Sequence, residues 1–523
     1  MNIFGPGKTP LQKFLETDNL AYLYGSNSFD LTILLGYFLV LSILAIYGIH
    51  RYHMVYLYYK YKNNKPQPRG ALPEKPRVTV QLPIYNEMYV VERLIESVCA
   101  LDWPKELLEI QVLDDSTDQT QQIAAAAVLH MKAGGHDIHY IRRPNRIGFK
   151  AGALENGLKL AKGNFIAIFD ADFMPKPQTL NETIDYFSDP KVGMVQIRWG
   201  HINRDYSFLT KVQSILLDGH FVIEHTARNR SGRFFNFNGT AGIWRRAAIE
   251  TAGGWEHDTL TEDLDLSYRA QMKGWQFIFL PEIVAPAEIP VEMNSFKRQQ
   301  NRWAKGSIQT GKKILPKLLR SDLPLRVKVE AFFHLTANIA YPLMIVLSLL
   351  LFPALIIRFH QGWFEMLVMD LPLFMAATFS VSSFYVVSQR EIYPDWKSNL
   401  KYLPFLMSVG IGLSVSNTKA VLEALLGIDS IFLRTPKYSV TSARDQWITK
   451  KYHARIGMLP LLEVLLGIYF SLMIAYALDS RIYGTIPFLF LFMVGFLYTG
   501  LMSLFQSTRV GALAQAVLVR IGE

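Results

Sequence analysis

Long apolar segments lie toward the two ends of the chain, and the part between them is mixed in character. The first apolar run extends from Leu31 to Ile49, and later runs lie at about 331–357, 366–387, 457–478 and 485–505. Each run approaches the roughly 20 residues that an α-helix needs to cross a bilayer. Residues 77–320 carry charges throughout. The pattern therefore predicts a globular domain at 77–320, inserted between transmembrane α-helices.

Within the globular part, short β-rich runs alternate with helical stretches. Strand-like runs extend from Val78 to Leu82, from Ile110 to Leu113 and from Ile166 to Phe169, and a helical pattern covers 87–101. This alternation predicts an α/β fold with a parallel sheet, whose ligands bind at the carboxyl ends of the strands. A proline-rich stretch at 63–76 indicates a linker. The predicted division is an N-terminal segment at 1–62, the linker, the globular domain at 77–320 and a membrane domain at 321–523.

The basic residues that give the chain a formal net charge of +10 are clustered beside the apolar runs. Lysine and arginine at such places are the usual orientation signal of membrane proteins, so the charge does not indicate a nucleic-acid-binding surface. The signal places the globular domain in the cytosol and the N-terminus outside. The stretch 403–427 has basic flanks on both sides. It is predicted to be a helix along the cytoplasmic interface, with Lys419 and Glu423 on its polar side.

Two pairs of carboxylates follow predicted strands. Asp114 and Asp115 end the second strand, where they could bind a nucleotide base and ribose or simply cap the next helix. Asp170 and Asp172 alternate along an extended chain, so both can approach one hard cation. Mg²⁺ or Mn²⁺ bound to a diphosphate would suit this pair, because the ion neutralises charge on a leaving nucleoside diphosphate. A surface turn is the alternative for this pair.

Two further polar groups follow later in the domain. Glu262 and Asp263 begin a helical pattern, where the helix dipole favours acidic residues. The functional alternative is a general base that deprotonates an acceptor hydroxyl, for which Asp263 is the candidate. Gln299, Arg302 and Trp303 precede the second apolar run. Arginine can clamp phosphate oxygens and tryptophan can stack on a sugar ring, but both residues are also common anchors beside a membrane.

Together, these motifs resemble the family-2 processive glycosyltransferases of the cellulose synthase superfamily, which carry D, DxD, TED and QxxRW in this order. The segments 111–118, 148–154 and 237–242 look most similar to cellulose-synthase-like mannan and glucomannan synthases. The resemblance covers roughly residues 77–320 and weakens in the membrane part. It implies a GT-A type, Rossmann-like domain that binds nucleotide sugars.

The resemblance also implies a role for each matched residue. Asp170 and Asp172 would hold the Mg²⁺ or Mn²⁺ ion, and Asp263, beside Glu262, would be the catalytic base. The residues expected to contact the donor are Asp114, Asp115, Lys150, Asp170, Gln299 and Arg302.

The acceptor site and a neighbouring loop are likewise assigned by resemblance. Trp303 would carry the terminal sugar of the growing chain, and Asn238, Gly239 and Thr240 stand where cellulose synthases have a Phe-Cys-Gly-Ser-like acceptor segment. The loop at 430–441 contains a Phe-Leu-Arg-Thr-Pro-Lys sequence similar to the Phe-x-Val-Thr gating loop of bacterial cellulose synthase, with Arg434 in place of valine. A plain basic cytoplasmic loop is the alternative.

Together, these expectations predict a function for the chain. The chain is predicted to be a processive inverting glycosyltransferase that polymerises a β-mannan, glucomannan or β-glucan from GDP-mannose or UDP-glucose. Its partners would be the donor, the growing glycan and the lipid bilayer of a plasma (inner) or Golgi-type membrane, with export of the product through the chain as a further expectation. The alternatives are a single transfer to a lipid-linked acceptor and a non-catalytic membrane protein that senses nucleotide sugars.

Overall fold

The first described helix is long and leads from an apolar segment into the globular domain. A computed structural model describes residues 27–360, 367–430, 434–442, 445–452 and 457–506, and its helix α1 spans Ser28–Tyr61. The Asn27 side chain caps this helix by accepting a hydrogen bond from the backbone N–H of Asp30 at 2.8 Å. The helix has 34 residues. It therefore contains the predicted crossing at 31–49 and continues about three turns past it.

A seven-stranded mixed sheet forms the centre of the globular domain. Its strand order is β3-β2-β1-β4-β6-β5-β7, and β6 runs antiparallel to both of its neighbours. The remaining pairs are parallel, so the carboxyl ends of β1, β2 and β4 meet at one edge. The strands are β1 Val78–Ile84, β2 Leu108–Asp114, β3 Asp137–Ile141, β4 Phe165–Ile168, β5 Val192–His201, β6 Gly242–Arg245 and β7 Gln276–Ala287.

The sheet is therefore α/β as predicted, although it is mixed and not fully parallel. Strand β6 has only four residues, too few for a hydrophobic pattern to reveal its direction. The helices of this domain are α2 Val91–Cys99, α3 Thr120–Ala133, α4 Phe149–Leu160, α5 Thr179–Thr183, α6 Phe208–Asp218, α7 Thr226–Arg230, α8 Arg246–Thr251, α9 Glu262–Met272 and α10 Met293–Arg320, with a π-helical turn at Gly219–His225 between α6 and α7.

Both faces of the sheet are buried, which explains why its strands are continuous apolar runs. On one face, Val80 and Ile110 belong to a core that also includes residues of α2 and α3. On the other face, Ile166 and Ile168 belong to a core shared with α4 and α9. The helices on both faces leave the carboxyl edge of the sheet open, and this edge is where the polar motifs lie.

A second group of helices follows the globular domain. These helices are α11 Leu325–Thr336, α12 Ala340–His360, α13 Leu367–Ile392, α14 Leu403–Gly412, α15 Ser414–Leu426, α16 Leu459–Asp479 and α17 Ile486–Phe505. By length and composition, four segments of the described residues could cross a membrane, namely Ser28–Tyr61, Leu325–Phe359, Leu459–Asp479 and Tyr483–Phe505, and the bent pair α14–α15 would be a fifth. The chain thus has the apolar helices of a membrane protein, and the predicted crossing at 366–387 lies on α13.

The stretch predicted as one interfacial helix at 403–427 is two helices in the structure. Helices α14 and α15 meet at Leu413 with an angle of 42°. A Cβ atom on Gly412 would lie 2.3 Å from the carbonyl oxygen of Gly495, so α14 packs very closely on α17. Helix α15 packs instead on α10. Because α14 and α15 pack on different helices, the chain bends between them. The residue composition of this stretch does not reveal that packing. The interfacial position of this stretch stays a prediction.

Helix α10 connects the globular domain to the apolar helices. Near its start, the buried ammonium group of Lys297 donates to the carboxylate of Glu463 on α16. The same ammonium donates to the carbonyl of Thr499 at 3.1 Å and to the hydroxyl of Ser503 at 2.6 Å, both on α17. A buried charge of this kind is costly unless it is paired and hydrogen-bonded, as here. The pairing anchors the first turns of α10 to the helical part.

Candidate active site

The carboxyl edge of the sheet opens into a cleft. The sequence-predicted residues that line it are Asp115, Lys150, Asp170, Asp172, Asn238, Gly239, Glu262, Asp263, Gln299, Arg302 and Trp303. These residues come from the segments that directly follow β2 and β4, from the loop before β6, and from α4, α9 and α10. Asp114 and Thr240 do not line the cleft but lie directly behind it. The structure therefore brings together side chains that are widely separated in the sequence.

The two carboxylates at the end of β2 have different surroundings. Asp114 is 1% exposed, and its carboxylate accepts hydrogen bonds from the backbone N–H of Ser116 at 2.8 Å and the hydroxyl of Tyr140 at 2.6 Å. Asp115 forms a bidentate pair with Arg143, at 3.1 Å to Nε and 2.5 Å to a terminal nitrogen. Asp114 therefore stabilises the turn, and Asp115 is the member of the pair that reaches the cleft.

Lys150 provides a positive charge at the centre of the cleft. Its ammonium group donates to the carboxylate of Asp170 at 2.5 Å and to the carbonyl of Gly239 at 2.9 Å. Burial by itself lowers the pKa of Lys150, but Asp170, Glu262 and Asp263 together raise it above its usual value. Lys150 is therefore a fixed cation that joins the end of β4 to the loop before β6.

The loop before β6 approaches the acidic group on α9 very closely. Gly239 has a φ of +79°, and a Cβ atom at this position would lie 3.0 Å from an oxygen of Asp263. A side chain here would therefore be strained and would crowd the carboxylate. The adjacent Thr240 hydroxyl accepts a hydrogen bond from the backbone N–H of Asp170 at 2.8 Å. These contacts hold the loop against the end of β4.

Asn238 is held from behind by two histidines that the sequence analysis missed. Its side-chain oxygen is 2.6 Å from Nε2 of His225, and its side-chain nitrogen is 3.0 Å from Nε2 of His220. Both histidines lie on the π-helical turn, and turns of this type are frequent at functional sites. Their spacing carries no recognisable sequence pattern, because the π-helical turn itself decides which way they face.

Asp263 has the electrostatic surroundings of a base that works near neutral pH. It lies in the first turn of α9, where its carboxylate accepts a hydrogen bond from the backbone N–H of Leu264 at 2.8 Å. Burial, reinforced by the neighbouring Glu262, raises the pKa of Asp263 to about 7, although Lys150 opposes this effect. A carboxyl group with such a pKa can both accept and release a proton under physiological conditions.

Helix α10 presents its predicted residues along one side of the cleft. Gln299, Arg302 and Trp303 lie within the two turns that follow the Lys297 anchor. The ring centroid of Trp303 is 6.5 Å from that of Trp199 on β5, and Trp199 lies 5.3 Å from Phe173. These three aromatic rings form an apolar wall next to the acidic groups. Trp199 and Phe173 were not predicted, since isolated aromatic residues in a strand usually indicate core packing.

Residues 434–442, here named the covering segment, lie over the acidic end of the cleft. The ammonium group of Lys437 donates to Asp172 at 2.7 Å and to the carbonyl of Glu288 at 2.8 Å. Arg434 pairs with Glu87 at 2.9 Å. The covering segment begins within the candidate gating loop at 430–441, whose Phe432 and Leu433 lie outside the described residues. Its ion pairs place it at the mouth of the cleft.

Glu288 fastens the covering segment through its backbone. One carboxylate oxygen accepts from the N–H of Tyr438 at 2.9 Å, and the other accepts from the N–H of Val440 at 3.2 Å. Tyr438 and Val440 are buried and share a small core with Val291. Neither Glu87 nor Glu288 was among the predicted site residues, because each belongs to no motif and acquires its role only through contact with a distant segment.

The chemistry of the predicted metal site can be tested against the contacts of its carboxylates. Asp170 and Asp172 are hard oxygen donors of the kind that Mg²⁺ and Mn²⁺ prefer. Each carboxylate is paired with a lysine, Asp170 with Lys150 and Asp172 with Lys437. The residues therefore fit a divalent cation, provided that the covering segment withdraws Lys437 from Asp172. Asp172 is the ligand that such a movement would release.

A separate acidic group on the far side of α9 does not offer a free site. Glu256, Asp258 and Asp265 have carboxylate oxygens within 4.8 Å of one another. The ammonium group of Lys313 lies among them, 2.8 Å from Asp258 and 3.1 Å from Asp265, and Arg269 pairs with Asp265 at 2.7 Å. Two basic side chains thus already compensate the charge of this group.

Comparisons with known proteins show which proteins the globular domain is similar to. Residues 76–306 match the family described as "Glycosyltransferase like family 2". The chain is 41% identical over 251 residues to glucomannan 4-beta-mannosyltransferase 2 of Arabidopsis thaliana, covering 47% of each chain. It is 40% identical over 279 residues to probable glucomannan 4-beta-mannosyltransferase 7 of Oryza sativa subsp. japonica, covering 52% of this chain and 48% of that one. The chain therefore spans about half the length of the curated relatives it matches.

Among solved structures, the mannosyltransferase PcManGT from Pyrobaculum calidifontis, in complex with GDP-Man and Mn²⁺, is 20% identical with a TM-score of 0.49. The match covers 74% of this chain and all of that one.

The mixed sheet and its motif-bearing edge define the class of the globular domain, which is a GT-A type fold. Residues 76–306 match the glycosyltransferase family 2 model, and the resemblance seen in the sequence is confirmed by the identity of 40–41% to glucomannan 4-beta-mannosyltransferases over about half of the chain.

Proposed function

We propose that this chain is a processive inverting glycosyltransferase that builds a β-linked glycan from a nucleotide-sugar donor. One observation carries the proposal: Asp263, with a pKa raised to about 7, lines the same cleft as Lys150, Arg302 and Trp303. A base, two phosphate-binding cations and an aromatic face are the groups that sugar transfer from a diphosphate needs.

The donor would lie across the carboxyl edge of the sheet. Its base would approach Asp115, Asp170 would contact the donor beside the metal, and its diphosphate would be bound by Lys150, Gln299 and Arg302. The relatives are mannosyltransferases by name. GDP-mannose is therefore the first donor to test, and UDP-glucose is the second.

The chemical step would be a single displacement. Asp263 takes the proton of an acceptor hydroxyl, and the hydroxyl oxygen attacks the anomeric carbon from the face opposite the diphosphate. The bond between that carbon and the phosphate oxygen breaks, and its electron pair leaves with the nucleoside diphosphate. An α-linked donor thus gives a β-linked product. Lys150 and Arg302 stabilise the charge that develops on the leaving group, which is usually the largest contribution to such catalysis.

A divalent cation would be held by Asp172, with Asp170 beside it. When bound, Mg²⁺ or Mn²⁺ would neutralise the negative charge on the diphosphate. Lys437, which pairs with Asp172 in the structure, would then be free to face the donor phosphates. This exchange is consistent with a gating role for the covering segment.

The acceptor would be the growing glycan. Its terminal sugar would stack on Trp303, with Asn238, Gly239 and Thr240 forming the opposite side, and the product would leave toward the apolar helices to which α10 is anchored. We propose further that the domain faces the cytosol of a plasma (inner) or Golgi-type membrane, with the N-terminus outside.

The full chain, purified in lipid nanodiscs, provides the test. It would be incubated with labelled GDP-mannose or UDP-glucose and with Mg²⁺ or Mn²⁺, and the product would be sized and digested with an endo-β-mannanase or an endo-β-glucanase. A long polymer that one of these enzymes degrades would support the proposal. A product carrying one sugar on a lipid would replace processive synthesis with single transfer, and absence of transfer from either donor would overturn the proposal.

A further inference from the structure

An open groove lies between α1 and α11, away from the catalytic cleft. On α1 it is lined by Ile46, Ile49, His50 and His53, which follow the spacing of one helical face. On α11 it is lined by Leu325, Arg326, Val329, Glu330 and Phe333, again one face of a helix, and Arg233 from the loop after α7 closes one end. The groove is thus made by two helix faces that only partly cover each other.

The walls of the groove are apolar and exposed. Ile46, Ile49 and Val329 are about half exposed, and Leu325 is 75% exposed. In water such a surface would be unfavourable, because exposed apolar area of this kind is normally covered by a partner or a membrane. The apolar run of α1 ends at Ile49, so the groove begins in the apolar part of the chain and ends among polar residues. This is the depth at which lipid headgroups meet acyl chains.

Basic groups converge at the polar end of the groove. A Cβ atom on Gly232 would lie 3.9 Å from a guanidinium nitrogen of Arg326, which brings Arg326 beside Arg233. Burial lowers the pKa of Arg233 and Arg326 adds to this effect, although Glu330 opposes it, and His53 is close enough to Arg233 to interact electrostatically. Among the described residues, no side-chain hydrogen bond or ion pair joins Arg233 or Arg326 to an acidic group.

The nearby carboxylate of Glu330 attracts Arg233 but is shared with two other groups. Glu330 is buried, and it already accepts from Arg228 at 2.9 Å and contacts His50 at 3.0 Å. The groove therefore combines an end with an excess of basic side chains and an apolar wall. It offers no free carboxylate for the positive group of a zwitterionic headgroup. This combination matches an acidic phospholipid, whose headgroup is negative and whose chains are apolar.

We propose that the groove between α1 and α11 binds one acidic phospholipid, with its phosphate at Arg233 and Arg326 and an acyl chain along Ile46, Ile49 and Val329. Because α11 directly follows α10, which carries Arg302 and Trp303, the lipid would also brace the membrane-facing side of the catalytic domain.

Lipid retention by the purified full chain tests this proposal. The protein would be prepared in nanodiscs of phosphatidylcholine containing phosphatidylglycerol, and the lipids that remain bound after detergent exchange would be counted by native mass spectrometry. We expect one retained phosphatidylglycerol per chain. Arg233→Gln and Arg326→Gln should each weaken retention roughly fivefold, which is the contribution of one basic side chain near an anionic surface.

The matched controls are the single variants Lys60→Gln and Lys397→Gln. Both lysines are exposed and lie outside the groove, so each control removes the same charge as one arginine substitution. Retention should be unchanged in both controls. Equal loss in the controls and the groove variants, or equal retention of phosphatidylcholine and phosphatidylglycerol, would overturn the proposal. If Arg233→Gln failed to fold, the exposed Arg326→Gln variant alone would decide the outcome.

Discussion

The floor of the cleft and the covering segment are held in place by different forces. The floor carries Asp170, Asp172 and Asp263, which are positioned by strand β4 and helix α9 within the buried sheet domain. The covering segment lies between helices α15 and α16 of the second group, outside residues 76–306, and is joined to the floor largely by Lys437 and by the two backbone hydrogen bonds to Glu288. A bound ligand cannot replace the buried contacts that hold the floor within the sheet domain. A bound cation can replace the contact between Lys437 and Asp172.

The difference separates the residues to which we assign the chemistry from those to which we assign control of access. A metal-bound donor would use the oxygen of Asp172 that Lys437 occupies. Floor substitutions should therefore reduce catalysis or metal binding, and substitutions in the covering segment should change how readily the metal enters.

Replacement of the proposed base should have the largest effect. Asp263→Asn removes the proton acceptor and is expected to lower the turnover rate by about 10²- to 10⁴-fold, the usual contribution of a general base. Binding of the nucleoside diphosphate, measured by calorimetry, should be unchanged. Asp258→Asn is the control, because Asp258 is exposed and outside the cleft. Polymer synthesis at the normal rate by Asp263→Asn would remove Asp263 from this role.

Replacement of the proposed metal ligand should come next. Asp172→Asn is expected to raise the Mn²⁺ concentration that gives half-maximal activity by on the order of 10- to 100-fold, since even indirect metal contacts contribute this much. The effect would be measured by titrating Mn²⁺ at saturating donor. An unchanged titration curve would place the cation elsewhere.

The pH dependence follows from the raised pKa of Asp263. Because the base must be deprotonated to accept a proton, activity should be full above about pH 7 and should fall as the pH drops through this pKa. The loss should approach about tenfold per pH unit. Initial rates between pH 5 and 9, with protein stability checked at each pH, would measure it. A flat profile below pH 7 would show that Asp263 does not set the protonation requirement.

The smallest effect should come from the covering segment, and it should have the opposite sign to that of Asp172→Asn. Lys437→Met removes the cation that competes for Asp172, so the Mn²⁺ concentration for half-maximal activity should fall by roughly threefold to tenfold, in keeping with the net contribution of one typical hydrogen bond. Lys451→Met is the control, because Lys451 is exposed and its side chain does not line the cleft. A higher metal requirement in Lys437→Met would mean that Lys437 supports metal binding.

Much of the floor could be predicted from short segments of sequence. An apolar strand that ends in Asp-Ala-Asp needs no distant contact to place both carboxylates at the edge of a sheet. The paired histidines behind Asn238 could not be predicted, because their orientation depends on the π-helical turn that carries them. The sequence also did not predict the antiparallel direction of β6 or the bend at Leu413, since both result from packing against elements far away in the chain.

The sequence by itself determined the class of domain, the apolar helices and the set of residues capable of the chemistry, because these depend on residue type and local periodicity. The tertiary structure alone decided which of these residues meet. Lys437 and Asp172 are 265 positions apart, and Lys297 and Glu463 are 166 apart. No local pattern specifies such pairs, since they form only when the packing of whole helices and sheets brings two charges out of water to the same place.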